Sequence, residues 1–149
     1  MSLAVFRFAA VILGLAMAFP FSVAAAGESP WPAGLDEQVQ EVEMAFFNAM
    51  NSAVTTEEML AAATNRYNGL AKILESVRAG AHAEMANDPS GAFALEAVDL
   101  SLNQLTQAVM DKEMRRGGSL APVAATIAGG NVLSAQVSLY LGLLGGGEG

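Results

Sequence analysis

The feature that most constrains how this chain can fold is a long uncharged segment near the C-terminus. Residues 119–147 contain no acidic or basic side chain. Large apolar side chains surround a helix over this segment rather than lining one side of it: Leu133, Val137, Leu139, Tyr140, Leu141, Leu143 and Leu144. A lone surface helix needs only one apolar face. The segment therefore has to be covered by helices of the same chain, by another copy, or by a partner.

The first 26 residues predict a cleaved signal peptide. Arg7 is followed by an apolar run over residues 8–19, and small residues lead to an A-x-A cleavage pattern at residues 24–26. An uncleaved membrane anchor is the competing interpretation, but Pro20 and Ser22 interrupt the run before it reaches the roughly 20 apolar residues of a bilayer span. The sequence predicts an exported protein, either periplasmic or secreted.

Residues 27–34 predict an extended segment, since proline disfavours helical geometry at the residue before it. A first helix is then predicted from Leu35, with Asp36, Glu37, Glu41 and Glu43 forming a solvated surface. Its apolar stripe, spaced by three and four residues, is Leu35, Val39, Val42, Phe46 and Ala49. A second helix is predicted from Thr55, because Thr55 and Glu58 have the spacing of a capping box.

Two further helices follow. The third is predicted over residues 92–116, ending at Arg115-Arg116-Gly117-Gly118, with cations at the last carbonyls and glycine for the cap. Its apolar stripe is Leu95, Val98, Leu102, Leu105 and Val109. The fourth is predicted over residues 119–147, with a kink or interruption at Gly129-Gly130-Asn131.

These four stretches predict an all-α domain over residues 35–147. Apolar spacings of three and four residues suit an antiparallel helical bundle within one chain. They also suit a helical hairpin that assembles with other copies through coiled-coil contacts.

Residues that carry chemistry are sparse. The sequence has no cysteine and one histidine, His82, which we interpret as a partly exposed residue at a helix end. The carboxylates form no catalytic group or calcium-loop pattern, and the glycine-rich segments lack a phosphate-binding motif. We predict no catalytic residue, no cofactor and no metal site, and therefore no enzyme.

A short stretch resembles a known family. Residues 30–36, Pro-Trp-Pro-Ala-Gly-Leu-Asp, resemble the P-W-x-x-x-L-D opening of type III secretion needle subunits, which are small helical hairpins that polymerise. Those subunits are shorter and have no cleaved signal peptide. The resemblance implies only a class, namely small exported helical proteins that assemble.

The function predicted from these features is non-catalytic and based on protein–protein contact, as in an assembly subunit of a cell-envelope or secretion structure. The candidate interaction residues are Leu133, Leu139, Tyr140 and Leu143. A net charge of −8 disfavours nucleic acid as a partner. Two alternatives stay open: a small-ligand or metal carrier within a bundle, and a protein that associates with membranes through residues 119–147, which is not favoured.

Overall fold

The computed structural model describes residues 34–145, with side chains described as far as residue 142. The predicted signal peptide and residues 27–33 of the predicted extended segment lie outside this range. The elements are α1 (Leu35–Ser52), α2 (Thr56–Glu84), a 3-10 turn (Met85–Asn87), α3 (Pro89–Arg116) and α4 (Ala121–Gly145). Within the described range there are four α-helices and no strand, which confirms the all-α prediction.

The start of α2 matches the predicted capping box. Glu58 N donates to Thr55 Oγ1 at 3.1 Å, and Thr55 N donates to Glu58 Oε2 at 3.0 Å. The backbone N–H groups of Val54 and Thr55 both donate to this carboxylate and hold the pKa of Glu58 below its usual value. Local chemistry alone therefore fixes where α2 begins.

The third helix begins three residues earlier than predicted. Asp88 caps it by accepting from the Ser90 N–H at 3.1 Å, and Pro89 occupies the first turn, where its missing N–H is not needed. The predicted end at Arg116 is confirmed. Gly117 and Gly118 follow with φ of 70° and 90°, a region that favours glycine, and they reverse the chain into α4.

The uncharged helix α4 is the centre of the fold. It packs against both α2 and α3, while α1 packs on α2. The main core joins residues of α1, α2 and α4: Leu35, Val39, Leu70, Ile73, Leu74, Val77, Ala81, Leu133, Val137 and Tyr140. Helices of the same chain therefore provide most of the cover that the uncharged segment requires.

The interruption predicted at Gly129-Gly130-Asn131 is wrong, because α4 runs through these residues as one helix. The glycines serve close packing instead. A Cβ on Gly129 would lie 2.6 Å from Met110 Sδ of α3 and 3.0 Å from Tyr67 Cε2 of α2. Backbone atoms of α4 thus approach two helices at once, which only a residue without a side chain permits.

Candidate interaction surface

A buried ion pair joins α1, α2 and α4. Arg66 donates through Nε and Nη2 to the two carboxylate oxygens of Glu43, at 2.8 and 2.9 Å, and through Nη1 to Asn131 Oδ1 at 2.8 Å. The Ser134 hydroxyl also donates to Glu43, and the guanidinium stacks 4.9 Å from the Phe46 ring centroid. The prediction that Glu43 is a solvated surface acid is therefore wrong, because its partner Arg66 holds it against the bundle.

A second polar cluster joins α2, α3 and α4. Asp99 of α3 is buried and accepts a hydrogen bond from the Tyr140 hydroxyl of α4. Its Oδ2 lies 3.1 Å from Arg78 Nε and 3.2 Å from His82 Nε2, both on α2. His82 is half-exposed in the last turn of α2, as predicted, and it also contacts this carboxylate.

The electrostatics of this cluster keep the tyrosine protonated. Burial of the phenol, together with its hydrogen bond to the Asp99 carboxylate, raises the pKa of Tyr140 well above its usual value. The hydroxyl therefore remains a donor to Asp99. Gln136, one turn earlier on α4, is fully buried, and neither of its amide atoms has a hydrogen-bond partner among the described residues.

The position of Asp99 sets the rotation of α3 and thereby its outer face. Leu100 follows Asp99 and points about 100° away around the helix axis. With Asp99 turned towards α2 and α4, Leu100 is 60% exposed and Phe93, two turns earlier, is 75% exposed. Leu105 lies on the predicted apolar stripe of α3, yet it is also exposed. An ion-paired carboxylate thus takes an inward position, and large apolar side chains face outward.

A shallow apolar groove of about 320 Å³ lies between α3 and the end of α4. Its lining residues are Ala97, Val98, Ser101, Leu102 and Leu139. Among the lining residues, Leu139 is 42% exposed. The exposed residues Phe93 and Leu100 also lie on α3, close in sequence to the lining residues. Together these seven residues are called the α3–α4 surface below.

The seven residues of the α3–α4 surface are uncharged, and the exposed acid Glu96 lies on α3 between Phe93 and Ala97. Between Ala97 and Met110 the one charged residue is Asp99, which is buried, and α4 contains no charged residue. Six acids lie on α1 and in the first turn of α2: Asp36, Glu37, Glu41, Glu43, Glu57 and Glu58. The fold therefore has an acidic region on α1 and the start of α2, and a groove whose lining is uncharged.

The predicted interaction residues divide between core and surface. Leu133 and Tyr140 are 5% and 0% exposed, because α1, α2 and α4 enclose them in the main core. The prediction that Leu133 and Tyr140 belong to an interaction surface is therefore wrong, because neither is accessible at the surface of the described fold. Leu139 is exposed and lines the groove. The side chain of Leu143 lies outside the described residues.

Phe93 and Leu100 were missed as candidates from sequence. The signal for them was faint: Phe93, Ala97 and Leu100 repeat at spacings of four and three on the side of α3 away from its predicted stripe. Such a second stripe indicates a helix with apolar residues on two sides.

Neither a metal site nor a membrane span is found among the residues that the structure describes. In residues 34–145 no group of three or more His, Asp or Glu side chains is placed to hold a metal ion. Over that range no helix combines the length and the apolar character that crossing a bilayer requires.

Comparison with known proteins does not assign the chain to a family. No family model matches the chain, and neither a curated protein nor a solved structure matches it significantly.

Proposed function

We propose that this protein is an exported, non-catalytic helical protein that acts through protein–protein contact at its α3–α4 surface. The observation that carries the proposal is the exposure of three large apolar side chains: Leu139 lines an uncharged groove, and Phe93 and Leu100 lie on α3, the helix that forms one side of that groove. Contiguous exposed apolar residues on a soluble protein mark interaction sites. Aromatic residues are enriched, and charged residues depleted, at the centres of protein interfaces.

The buried polar groups support a structural role rather than a catalytic one. Arg66 and Glu43 are engaged with each other, and Asp99 is engaged with Tyr140, Arg78 and His82. These contacts join helices and hold the α3–α4 surface in place. Export rests on the N-terminal sequence pattern.

Site-specific photo-crosslinking in cells that produce the protein tests the contact. A photoreactive phenylalanine analogue at position 139 or 100 should give adducts on irradiation. The matched control is position 54, where Val54 is equally apolar and 80% exposed but lies between α1 and α2. Equal adducts at all three positions, or none at any, would contradict the proposal.

Export is tested separately. The intact mass of the protein recovered from outside the cytoplasm should correspond to loss of residues 1–26, or of residues 1–24 if cleavage follows the second small-residue pattern, Ser22-Val23-Ala24. Recovery of the full-length chain from the membrane fraction would contradict cleavage.

A further inference from the structure

The rotation of α3 about its own axis conflicts with its apolar pattern. Successive helical residues are separated by about 100° around the axis, so Leu102 lies about 60° to one side of Asp99, and Val98 about 100° to the same side. Asp99 is buried, whereas Leu102 and Val98 are only half-buried. Leu105, further round on that side, is 47% exposed. The apolar stripe therefore faces partly away from the core, and a carboxylate occupies the central inward position.

The groove of the α3–α4 surface is a consequence of this rotation. Val98 and Leu102 line the groove from α3, and Leu139 lines it from α4. A roll of α3 by about 60° around its axis would bring Leu102 to the inward position that Asp99 now occupies. The same roll would turn Val98 inward and narrow the groove. Apolar burial would increase, and burial of apolar surface stabilises a fold.

The contacts of Asp99 oppose such a roll. Its carboxylate accepts a hydrogen bond from the Tyr140 hydroxyl of α4, and it lies 3.1 Å from Arg78 Nε and 3.2 Å from His82 Nε2 of α2. The side chains of Arg78 and His82 are 35% and 40% exposed. Water can therefore solvate both if Asp99 moves away, so that neither cation is left buried without a partner. The contacts hold α3 in place, and they can be broken without stranding a buried cation.

The connections at the two ends of α3 permit a change of rotation. The 3-10 turn Met85–Asn87 precedes the helix, and Gly117 and Gly118 follow it. A Cβ on either glycine would meet nothing within 4 Å, so these two residues are not packed against the bundle. A few residues of this kind at the end of an element absorb the backbone changes of a conformational switch.

We infer that α3 has two packing positions, and that Asp99 is a latch that selects the observed one. In the other position, the rolled position, Leu102 faces the core, Leu105 becomes buried and Asp99 turns towards solvent. The observed position gains the hydrogen bonds of Asp99, and the rolled position gains apolar burial. An ion pair taken out of water contributes little beyond its desolvation cost, so these gains are comparable.

The latch regulates the contact surface, and in this consequence the inference rests on the proposed function. Six of the seven residues of the α3–α4 surface belong to α3, so the surface has its groove in the observed position alone. A partner that seats in the groove therefore favours the observed position, because a ligand shifts a two-state equilibrium towards the state that it binds better.

Thiol reactivity tests the roll on the purified protein. The chain has no cysteine, so one introduced thiol reports on one position. With Leu105→Cys in place, adding Asp99→Ala should make the thiol react several-fold more slowly, because the rolled position buries residue 105. Leu100→Cys is the matched control, since Leu100 is 60% exposed and stays outside in both positions. Simple loosening of the fold would speed the reaction at position 105. A faster or unchanged rate there would overturn the inference.

A double-mutant cycle gives the second measurement, by urea unfolding. Leu105→Glu alone places a charge at an exposed position and should change stability little. In the Asp99→Ala protein the same substitution should lower the folding equilibrium constant about tenfold more, because the rolled position would bury the new carboxylate. Leu100→Glu should have equal effects with and without Asp99→Ala. Additive effects of Asp99→Ala and Leu105→Glu would overturn the two positions of α3.

The proposed function and the latch fail in distinguishable ways. The thiol and unfolding measurements need no partner, so they can overturn the latch while adducts at positions 100 and 139 persist in cells. Absence of those adducts overturns the contact function and leaves the two measurements on the purified protein unaffected. Where both hold, Asp99→Ala should reduce the adducts at position 139, and Asp111→Ala, at an exposed aspartate of the same helix, should not. Equal adducts in the two variants would overturn the regulation of the surface by Asp99.

Discussion

Arg66 illustrates how one buried charge can hold several helices together. Its guanidinium has three carboxylate or amide oxygens within 3 Å, from Glu43 and Asn131. The Arg66 side chain is 8% exposed and that of Glu43 22%. Removing one member of such a pair leaves the other partly buried without compensation, which costs more than the pair contributes when intact.

We therefore expect Arg66→Ala to lower the free energy of unfolding by about 2–4 kcal/mol, which approaches the loss typical of removing one partner of a buried ion pair. The matched control is Arg116→Ala, because Arg116 pairs with Glu113 at a similar distance but is 66% exposed. Exposed pairs contribute about 0–1 kcal/mol. Urea unfolding of both variants measures the difference, and similar losses in the two would show that Glu43 is effectively solvated.

The polar residues at the centre of the fold were the hardest to predict from sequence. Asp99 and Thr106 are the buried residues of α3, yet a pattern of apolar spacings passes over both. A carboxylate is normally assigned to solvent. Its burial depends on Tyr140, Arg78 and His82, which lie on other helices and reach Asp99 only in the folded chain.

Among the elements, α1 and α2 agree best with expectation. Leu35, Val39 and Phe46 are buried as the spacing predicts, and the capping box starts α2. These features follow from local periodicity and local hydrogen bonds. The rotation of α3 does not, because the Asp99 contacts set it, and so the exposure of Leu100 and Leu105 could not be predicted. The glycines of α4 were interpreted as a break, since close approach of α2 and α3 is a property of the assembled bundle.

Glycine substitutions in α4 separate helix propensity from packing. Alanine is favoured over glycine by about 1 kcal/mol within a helix. At Gly142, where nothing lies within 4 Å of an added Cβ, we expect Gly142→Ala to stabilise the protein by at most about that amount. At Gly129 the new methyl group would meet Met110 and Tyr67, and we expect a net destabilisation of about 1–3 kcal/mol.

Thermal unfolding of the two glycine variants, followed by circular dichroism, is the measurement. The sign of the change should differ between them. A stabilised Gly129→Ala protein would mean that α4 has room between α2 and α3, and that the glycine pair does not serve close packing.

At the scale of the whole molecule, the net charge of −8 determines how the stability of the fold depends on salt. Helix α1 contains four acids and no base. A large net charge destabilises the compact state through self-repulsion. Salt screens this repulsion, with a Debye length of about 30 Å at 0.01 M and about 3 Å at 1 M.

We therefore expect the free energy of unfolding to rise as sodium chloride rises over this range, because screening weakens the repulsion among the acids. Urea unfolding at several salt concentrations measures the change. Glu41→Gln removes an exposed acid one turn after Glu37 on α1. This variant should be more stable than the unmodified protein at low salt, and its stability should depend less on salt, because less repulsion remains to be screened. A fold that loses stability as salt rises, and loses more in the variant, would show that Glu41 takes part in an attractive ion pair.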